Sequence, residues 1–262
     1  MNINFSKYKR FFAFGCSFTA WRWPTWADML SKEMPQAEFY NIGRSGSGNL
    51  MISGRLTEAN VKFNFCETDL VMIMWSTFCR EDRYLNGAWQ CPGNIYSQDF
   101  YNKEYVEKYA DSIGYLIRDL SLITMATGYL KALPCDSITL ASVPYNYQNK
   151  NDPKVLPILE VYKHTISQTP PSLYELEMGG KWQEGHVYIE MNPTTNYVSD
   201  YHSDYHPDPM RHQSYLTKIG MPLTNKSYKF AKDSFDTLKS TKTQDEIFKA
   251  FHMPILPPVR WL

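Results

Sequence analysis

The segment Asp69-Leu-Val-Met-Ile-Met-Trp75 decides the fold, because it holds an unbroken run of apolar side chains. Apolar residues at every position, rather than at every second position, are typical of a parallel strand that helices cover on both faces. Shorter runs predict three more strands, at about 11–14, 38–42 and 137–143. The sequence therefore predicts four strands in the interior of an α/β protein.

Helical spacing of apolar side chains fills the intervals between these strands. It predicts helices over about 23–34, 49–63 and 103–131, with Pro24 tolerated in the first turn of the first one. Strands and helices then alternate as β-α-β-α-β-α-β, an order that favours a doubly wound parallel sheet. We expect the α/β class, with a flavodoxin-like parallel sheet between two helical layers.

The second half of the chain is less regular. A loop is predicted over 89–102, and the pattern dissolves between 144 and 199 into Tyr, Asn, Pro and Gly. So long an irregular stretch is uncommon without a role, and it suggests a lid-like or binding insertion. Within it, 181–191 predicts a short strand or hairpin. Pro207 is expected to open a helix that runs to about 219.

We expect the 262 residues to form a single domain. Its core would span about 8–220, with the insertion at about 145–199. A C-terminal extension, 220–262, would hold one further helix, over 245–251.

The composition excludes some partners. The chain has 27 Lys and Arg against 27 Asp and Glu, so its zero net charge gives no electrostatic argument for nucleic acid or an anionic membrane. No run approaches the ~20 apolar residues that span a bilayer.

The basic N-terminal stretch turns at once into Gly15-Cys16-Ser17, so we expect no signal peptide and synthesis in the cytoplasm. Five cysteines without a CxxC pair indicate reduced thiols.

Aromatic residues are abundant, at 15% of the chain with 19 Tyr and 7 Trp. Such a surplus lines grooves for sugars or other flat ligands, and it equally serves assembly interfaces. A glycan ligand and a homo-oligomer or larger assembly therefore both stay open.

The first chemistry-bearing feature is the turn Gly15-Cys16-Ser17 after the first strand. A serine on a sharp turn between strand and helix has its hydroxyl exposed and its N–H directed towards the helix, as a nucleophile and oxyanion donor require. The alternative is an ordinary helix N-cap. We expect Cys16 to be a packed, inert thiol.

Two further features follow other strands. Residues 41–49 contain Gly43, Gly46 and Gly48, which let backbone amides approach a ligand, although an ordinary Gly-rich turn explains them too. Near the end, Asp204 stands two residues before His206. This carboxylate can orient the imidazole as a general base, or it can cap the helix that follows.

Together the three segments resemble the SGNH/GDSL hydrolase superfamily, and the likeness covers most of residues 11–219. The resemblance implies that Ser17 attacks an ester carbonyl, that His206 takes its proton and that Asp204 holds His206. It also implies that the amides of Ser17 and Gly46 bind the oxyanion. No cofactor and no metal are implied.

The chain departs from the family pattern in two places. The third block usually reads Gly-x-Asn-Asp, whose Asn donates to the oxyanion, but 75–80 reads Trp-Ser-Thr-Phe-Cys-Arg. The hydroxyl of Ser76 or Thr77, or the amide of Asn49, is a candidate replacement. The last block has Asp-x-His, where Asp-x-x-His is common. With Cys16, these features look similar to divergent members from bacteriophage genomes.

Other side chains near the expected cleft have more than one explanation. Arg44, Arg80 and Trp75 are candidates for substrate contact, with ordinary salt bridges as the alternative for the two arginines. His202 and His206 are four residues apart, a metal-like spacing on a helix. Because Pro207 should open a helix rather than lie inside one, we expect 202–206 to be extended or a turn, and we prefer no metal.

The expected function is that of a serine esterase acting on an acylated small molecule or polysaccharide, for example by removing O-acetyl groups. The rival hypothesis is a catalytically inactive scaffold of the same fold, serving as a virion or assembly component. A third hypothesis is a glycan-binding protein that uses the same cleft.

Overall fold

The computed structural model describes residues 3–96, 101–145, 152–179, 187–190, 201–204, 206–241 and 243–251. The first half of the chain contains β1 (Arg10–Gly15), α1 (Trp26–Glu33), β2 (Glu38–Asn41), α2 (Asn49–Phe63), β3 (Asp69–Trp75), β4 (Arg83–Leu85), β5 (Ala88–Gln90), α3 (Lys103–Tyr109) and α4 (Ser112–Ala132). The second half contains β6 (Asp136–Ala141), α5 (Val155–Val161), α6 (Lys163–Ile166), α7 (Leu173–Met178), β7 (Val187–Glu190), β8 (Tyr201–Asp204), α8 (Pro209–Lys218), α9 (Asn225–Ser240) and α10 (Gln244–Phe251).

Four parallel strands form the central sheet in the order β2-β1-β3-β6. Successive side chains of β1 point to opposite faces, so Phe11 packs in one core cluster with α1 and α8, whereas Phe12 packs in another with α2 and α4. Every residue of β3 is buried. The expected parallel α/β sheet between two helical layers is confirmed, with all four strands where the apolar runs indicated.

Two predicted helices have different bounds in the structure. The helix predicted over 103–131 is two helices, because Asp111 leaves the helical conformation and its side chain accepts a hydrogen bond from the Ile113 N–H at the start of α4. The first helix begins at Trp26 instead of 23. Thr25 is its N-cap, and Pro24 precedes the helix.

The loop predicted over 89–102 is wrong at its start, where Trp89 and Gln90 belong to a β-hairpin of β4 and β5. Asn86 and Gly87, with φ of 53° and 78°, form its two-residue turn. Asn-Gly is a strong hairpin signal, because both residues of this turn type need positive φ.

The insertion is more ordered than its composition predicts. Three short helices, α5 to α7, lie between 155 and 178. The strand expected within 181–191 is present as β7, which pairs antiparallel with β8. β8 is extended over residues 201–204, as expected.

The C-terminal part differs most from the prediction. Helix α8 begins at Pro209 with Asp208 as its N-cap, so Pro207 precedes the helix instead of opening it. Helix α9, which is 16 residues long, was not predicted from the sequence, whereas α10 matches the helix expected over 245–251. The division of the chain into core, insertion and extension stays a prediction. None of the helices in the described part of the chain is long and apolar enough to cross a bilayer.

Gly15 is the position at which β1 can least accept a side chain. A Cβ there would lie 2.1 Å from Thr19 Oγ1 and 2.9 Å from the Met74 carbonyl oxygen. We predict that Gly15→Ala lowers the free energy of unfolding by about 1–3 kcal/mol in urea titrations, because backbone atoms of β3 would have to move.

The matched control is Gly128→Ala in α4, where an added Cβ meets nothing within 4 Å. This control should raise the free energy of unfolding by about 1 kcal/mol, since alanine favours helix over glycine. Equal effects of the two substitutions would contradict the packing argument.

Candidate active site

Ser17 lies in a tight turn just beyond the carboxyl end of β1. The N–H groups of Thr19 and Ala20 donate to the Cys16 carbonyl at 2.9 and 3.1 Å, which closes the turn around Ser17. Because the N-cap of α1 is Thr25, the alternative reading of Ser17 as a helix cap is wrong. Ser17 is only 5% exposed, so the expectation of an exposed hydroxyl is wrong.

His206 meets Ser17 directly, although 189 positions separate the two residues. Its Nε2 lies 2.8 Å from Ser17 Oγ, within hydrogen-bonding distance. When Nε2 carries no proton, the serine hydroxyl donates to it. A general base must hold its partner's proton in this way, and so the pair is arranged for proton transfer.

Aromatic side chains support the His206 loop. The Trp21 indole is stacked on the imidazole, with ring centroids 3.6 Å apart and planes 19° from parallel. Trp23 Nε1 donates to the Pro207 carbonyl at 2.8 Å. Sequence reasoning gave neither residue a role in the site, because these contacts join segments far apart in the chain.

The predicted acid, Asp204, is placed by its backbone only. It ends β8, opposite Val187 of β7, and its side chain lies outside the described residues. Asp208 is the next carboxylate along the chain, but its Oδ1 accepts from the Arg211 N–H at 2.9 Å and so caps α8. The role of Asp204 therefore stays a prediction.

His212 lies in the interior, 1% exposed, and its Nδ1 has no hydrogen-bond partner in the described structure. Burial, with the nearby His206 as a smaller cause, lowers the pKa of His212 to about 3, so its ring is neutral near pH 7. The described residues contain no cluster of three or more His, Cys, Asp or Glu that could hold a metal. The side chains of His202 and Asp204 are outside that description.

The Gly-rich loop is fastened to the end of β1. The Arg44 N–H and the Ser47 hydroxyl both donate to the Gly15 carbonyl, at 2.9 and 3.0 Å. Gly46 has a φ of 81°, and a Cβ there would lie 2.2 Å from the Cys91 carbonyl oxygen. Glycine is therefore required at position 46, because any side chain would clash there. The hydrogen bonds to Gly15 hold the loop that contains Gly46 next to the Ser17 turn.

Asp82, which no sequence motif indicated, holds the end of the same loop. Its buried carboxylate accepts from the N–H groups of Gly48 and Met51, at 2.8 and 2.9 Å, at the start of α2. Burial raises the pKa of Asp82, while the two backbone donors and nearby arginines oppose that rise. No local spacing marks this residue, because its partners lie more than 30 positions away.

Asn49 is committed to structural hydrogen bonds. Its Nδ2 donates to the Ser76 carbonyl at 3.2 Å and to Asp119 Oδ2 at 3.0 Å, and its Oδ1 accepts from the Ser76 N–H at 2.8 Å. Both amide hydrogens are used, which argues against Asn49 as an oxyanion donor. Burial raises the pKa of Asp119, a second residue missed from the sequence, to about 6.

The other proposed replacements for the missing Asn differ in their partners. Thr77 Oγ1 accepts from Arg80 Nε at 2.8 Å. Ser76 Oγ is buried and has no hydrogen-bond partner within the described ranges. Of the two hydroxyls, that of Ser76 is the one without a structural partner.

The burial and hydrogen bonds of Trp75, Arg80 and Arg44 bear on their prediction as substrate contacts. Trp75 is 1% exposed inside the core, so its prediction as a substrate contact is wrong. Arg80 Nη1 donates to the Ser47 carbonyl at 3.0 Å and so braces the Gly-rich loop. In the described part of the chain, neither Arg80 nor Arg44 forms a salt bridge, the alternative considered for both.

All five cysteines are free thiols, as expected from their spacing. Cys16, beside the nucleophile candidate, is fully buried. This agrees with the expectation of a packed thiol.

Fold and site together define an α/β protein with a serine–histidine pair at the carboxyl edge of a parallel sheet. Protein-family models and curated proteins give no match to this chain. Among solved structures, it is similar to a member of the lipolytic G-D-S-L family from Veillonella parvula. The identity is 12% and the TM-score 0.40, over 82% of this chain and 99% of that one.

Two more solved structures are similar to the chain. One is a GDSL-like lipase from Bacteroides thetaiotaomicron, with 15% identity, a TM-score of 0.41 and 86% and 88% of the two chains covered. The other is an alpha/beta hydrolase enzyme from the metagenome of Lake Arreo. Its identity is 12% and its TM-score 0.42, over 82% of this chain and 97% of that one. At these identities and TM-scores the likeness assigns no function, which is inferred from the chain's own residues. Similarity to bacteriophage members stays a prediction.

The buried His212 makes the stability of the fold depend on pH. In the unfolded chain this imidazole has a pKa near 6.5, whereas in the folded protein its pKa is about 3. Below pH 6.5 this imidazole is therefore protonated in the unfolded state but stays neutral in the folded state, so the free energy of unfolding falls. Between pH 7.5 and 5.0, the wild-type protein should therefore lose about 2 kcal/mol more unfolding free energy than the His212→Gln variant.

Urea titrations at the two pH values measure this loss. The control is His164→Gln, since His164 is exposed on α6 and should leave the pH dependence unchanged. If wild type and His212→Gln lost the same stability on acidification, the buried neutral state of His212 would be refuted.

Proposed function

We propose that this chain is a serine hydrolase that cleaves carboxylic esters through an acyl-enzyme. The observation that carries the proposal is the 2.8 Å contact between Ser17 Oγ and His206 Nε2, in a turn at the carboxyl edge of the sheet. Open parallel sheets bind their ligands at this edge. A buried hydroxyl held against an imidazole is the arrangement that nucleophilic catalysis by serine needs.

The proposed reaction has two steps. Ser17 Oγ attacks the ester carbonyl while its proton passes to His206 Nε2, and that proton then goes to the departing alcohol as the C–O bond breaks. In the second step, His206 takes a proton from water, which attacks the acyl-serine. The carboxylic acid leaves, and the proton returns to Ser17.

We assign the oxyanion to the backbone N–H groups of Ser17 and Gly46. Support comes from the hydrogen bonds that hold the Gly46 loop against the β1 end, so both amides are fixed before the substrate arrives. Ser76 Oγ is our choice for a third donor, with Thr77 second. Losing one such donor raises the activation free energy by about 3–4 kcal/mol, so another donor is expected in place of the family's Asn.

The substrate we propose is an ester with a small acyl group, such as an O-acetyl group on a carbohydrate. Ser17 is 5% exposed, so its environment favours a compact acyl group over a bulky one. The partly exposed Trp21 beside His206 offers an aromatic edge to a sugar ring. The proposal that the alcohol part of this ester is a carbohydrate is based on the aromatic content of the sequence.

The test is covalent labelling with a fluorophosphonate probe, together with hydrolysis of p-nitrophenyl acetate. Ser17→Ala should abolish labelling, and His206→Gln should lower kcat by a factor of at least about 10³. The matched control is Ser121→Ala, because Ser121 in α4 is also partly shielded from solvent but packs near Tyr162, on the opposite face of the sheet from α9. It should leave labelling and kcat unchanged.

A second pair of variants tests the acid. Asp204→Asn should lower kcat by a factor of about 10²–10⁴ with little loss of stability, if Asp204 orients His206. Asp208→Ala should instead remove the cap of α8 and lower the unfolding free energy by about 1 kcal/mol, with kcat nearly unchanged. Labelling that persists in Ser17→Ala, or wild-type protein that neither labels nor hydrolyses esters, would reject the proposed function.

A further inference from the structure

The segment that follows Ser17 also carries the support of His206. Trp21 stacks on the imidazole at 3.6 Å, and Phe18 contacts the same ring at 5.5 Å, tilted by 51°. Trp23 holds the next residue of the chain by donating to the Pro207 carbonyl. The nucleophile and the groups that hold its base thus come from one stretch of seven residues, 17–23.

The stack restricts how the imidazole can turn. An indole lying flat on one face of His206 fixes the plane of the ring, because tilting the imidazole about its Cβ–Cγ bond would lose the contact. A stacked aromatic pair contributes about 0.5–1.5 kcal/mol beyond its buried area. Rotation of the ring would break the 2.8 Å contact with Ser17, so the stack favours the orientation that the contact needs.

The contribution of Trp21 is one of orientation rather than of charge. The Arg22 guanidinium carbon already lies 5.0 Å from the centroid of the Trp21 ring. A cation there already draws on the negative charge of the indole π system. The stacked indole therefore acts by holding the imidazole in place.

The C-terminal helices pack behind Trp21. Trp23, Leu238 of α9 and Ile247 of α10 form a buried cluster, and Trp21 and Phe251 pack against it. The two indoles also meet edge to face, with centroids 6.1 Å apart. A chain of contacts therefore runs from α10 through Trp23 to Trp21 and then to His206.

We propose that Trp21 is the positioning residue of the His206 imidazole, and that α9 and α10 hold Trp21 against it. The inference rests on the proposed function, since it concerns the base of that reaction. It gives the C-terminal helices, which lie beyond the expected core, a part in catalysis.

Kinetics of three tryptophan variants test the first half. With p-nitrophenyl acetate, which has no sugar ring to contact the indole, Trp21→Leu should lower kcat about tenfold and change KM less than about twofold. The imidazole loses its orientation while the acyl pocket remains. Trp21→Phe keeps a ring to stack and should recover most of the rate. Trp89→Leu is the matched control, since this tryptophan is similarly half-buried and packs edge to face on Tyr84 in the β4–β5 hairpin.

Nuclear magnetic resonance of the imidazole C–H groups gives a readout that needs no turnover. The ring current of a stacked indole moves the His206 signals upfield, so Trp21→Leu should move them downfield while Trp21→Phe moves them less. Unchanged His206 signals in Trp21→Leu, or unchanged kcat with displaced signals, would overturn the positioning role. Inactive wild type whose His206 signals still respond to Trp21→Leu would reject the proposed function and leave the stacking contact standing.

Ile247→Ala tests the second half. It should lower kcat and shift the His206 signals, although residue 247 does not touch the site. Leu130→Ala in α4 is the control, because Leu130 is also 1% exposed but belongs to the opposite core cluster. Both variants lose stability, so they are compared well below their unfolding temperatures. If both variants leave kcat and the His206 signals unchanged, or shift them equally, α10 has no specific part in positioning.

Discussion

The hydrogen-bonding contact between Ser17 Oγ and His206 Nε2 is the constraint on which the site depends. A distance of 2.8 Å between residues from opposite ends of the chain leaves little tolerance, because a shift of about 1 Å in a reacting group can cost a factor of 10² in rate. The fold meets this demand from two sides. The end of β1 fixes the serine turn, and Trp21 and Trp23 fix the loop that carries the imidazole.

Buried polar groups around the sheet edge hold the loops rather than meet the substrate. Asp82 accepts from two backbone amides at the start of α2, and Asn49 links Ser76 to Asp119. Each of these groups is removed from water and is stable there only with partners, so their hydrogen bonds hold the loop geometry. Ser76 Oγ differs because it is buried without a partner among the described residues. The proposed function assigns this hydroxyl to the oxyanion.

The sequence predicts the sheet well and the helices less well. The four parallel strands are continuous apolar runs, and burial on both faces leaves few alternatives for such runs. Helix α9 was missed because its outward face is polar and no strand follows it. The break at Asp111 was missed because apolar spacing continues through it. Ser17 and His206 were found from local motifs, whereas Asp82, Asp119 and Trp21 act through distant contacts that no local pattern records.

The most direct measurement of the central claim is a crystal structure of the protein after reaction with a fluorophosphonate. The account predicts phosphorus bonded to Ser17 Oγ, with one non-bridging oxygen about 2.7–3.1 Å from the backbone nitrogens of Ser17 and Gly46. It also predicts the imidazole of His206 still stacked on Trp21. An adduct on another residue, or an adduct on Ser17 whose oxygen faces away from both amides, would contradict it.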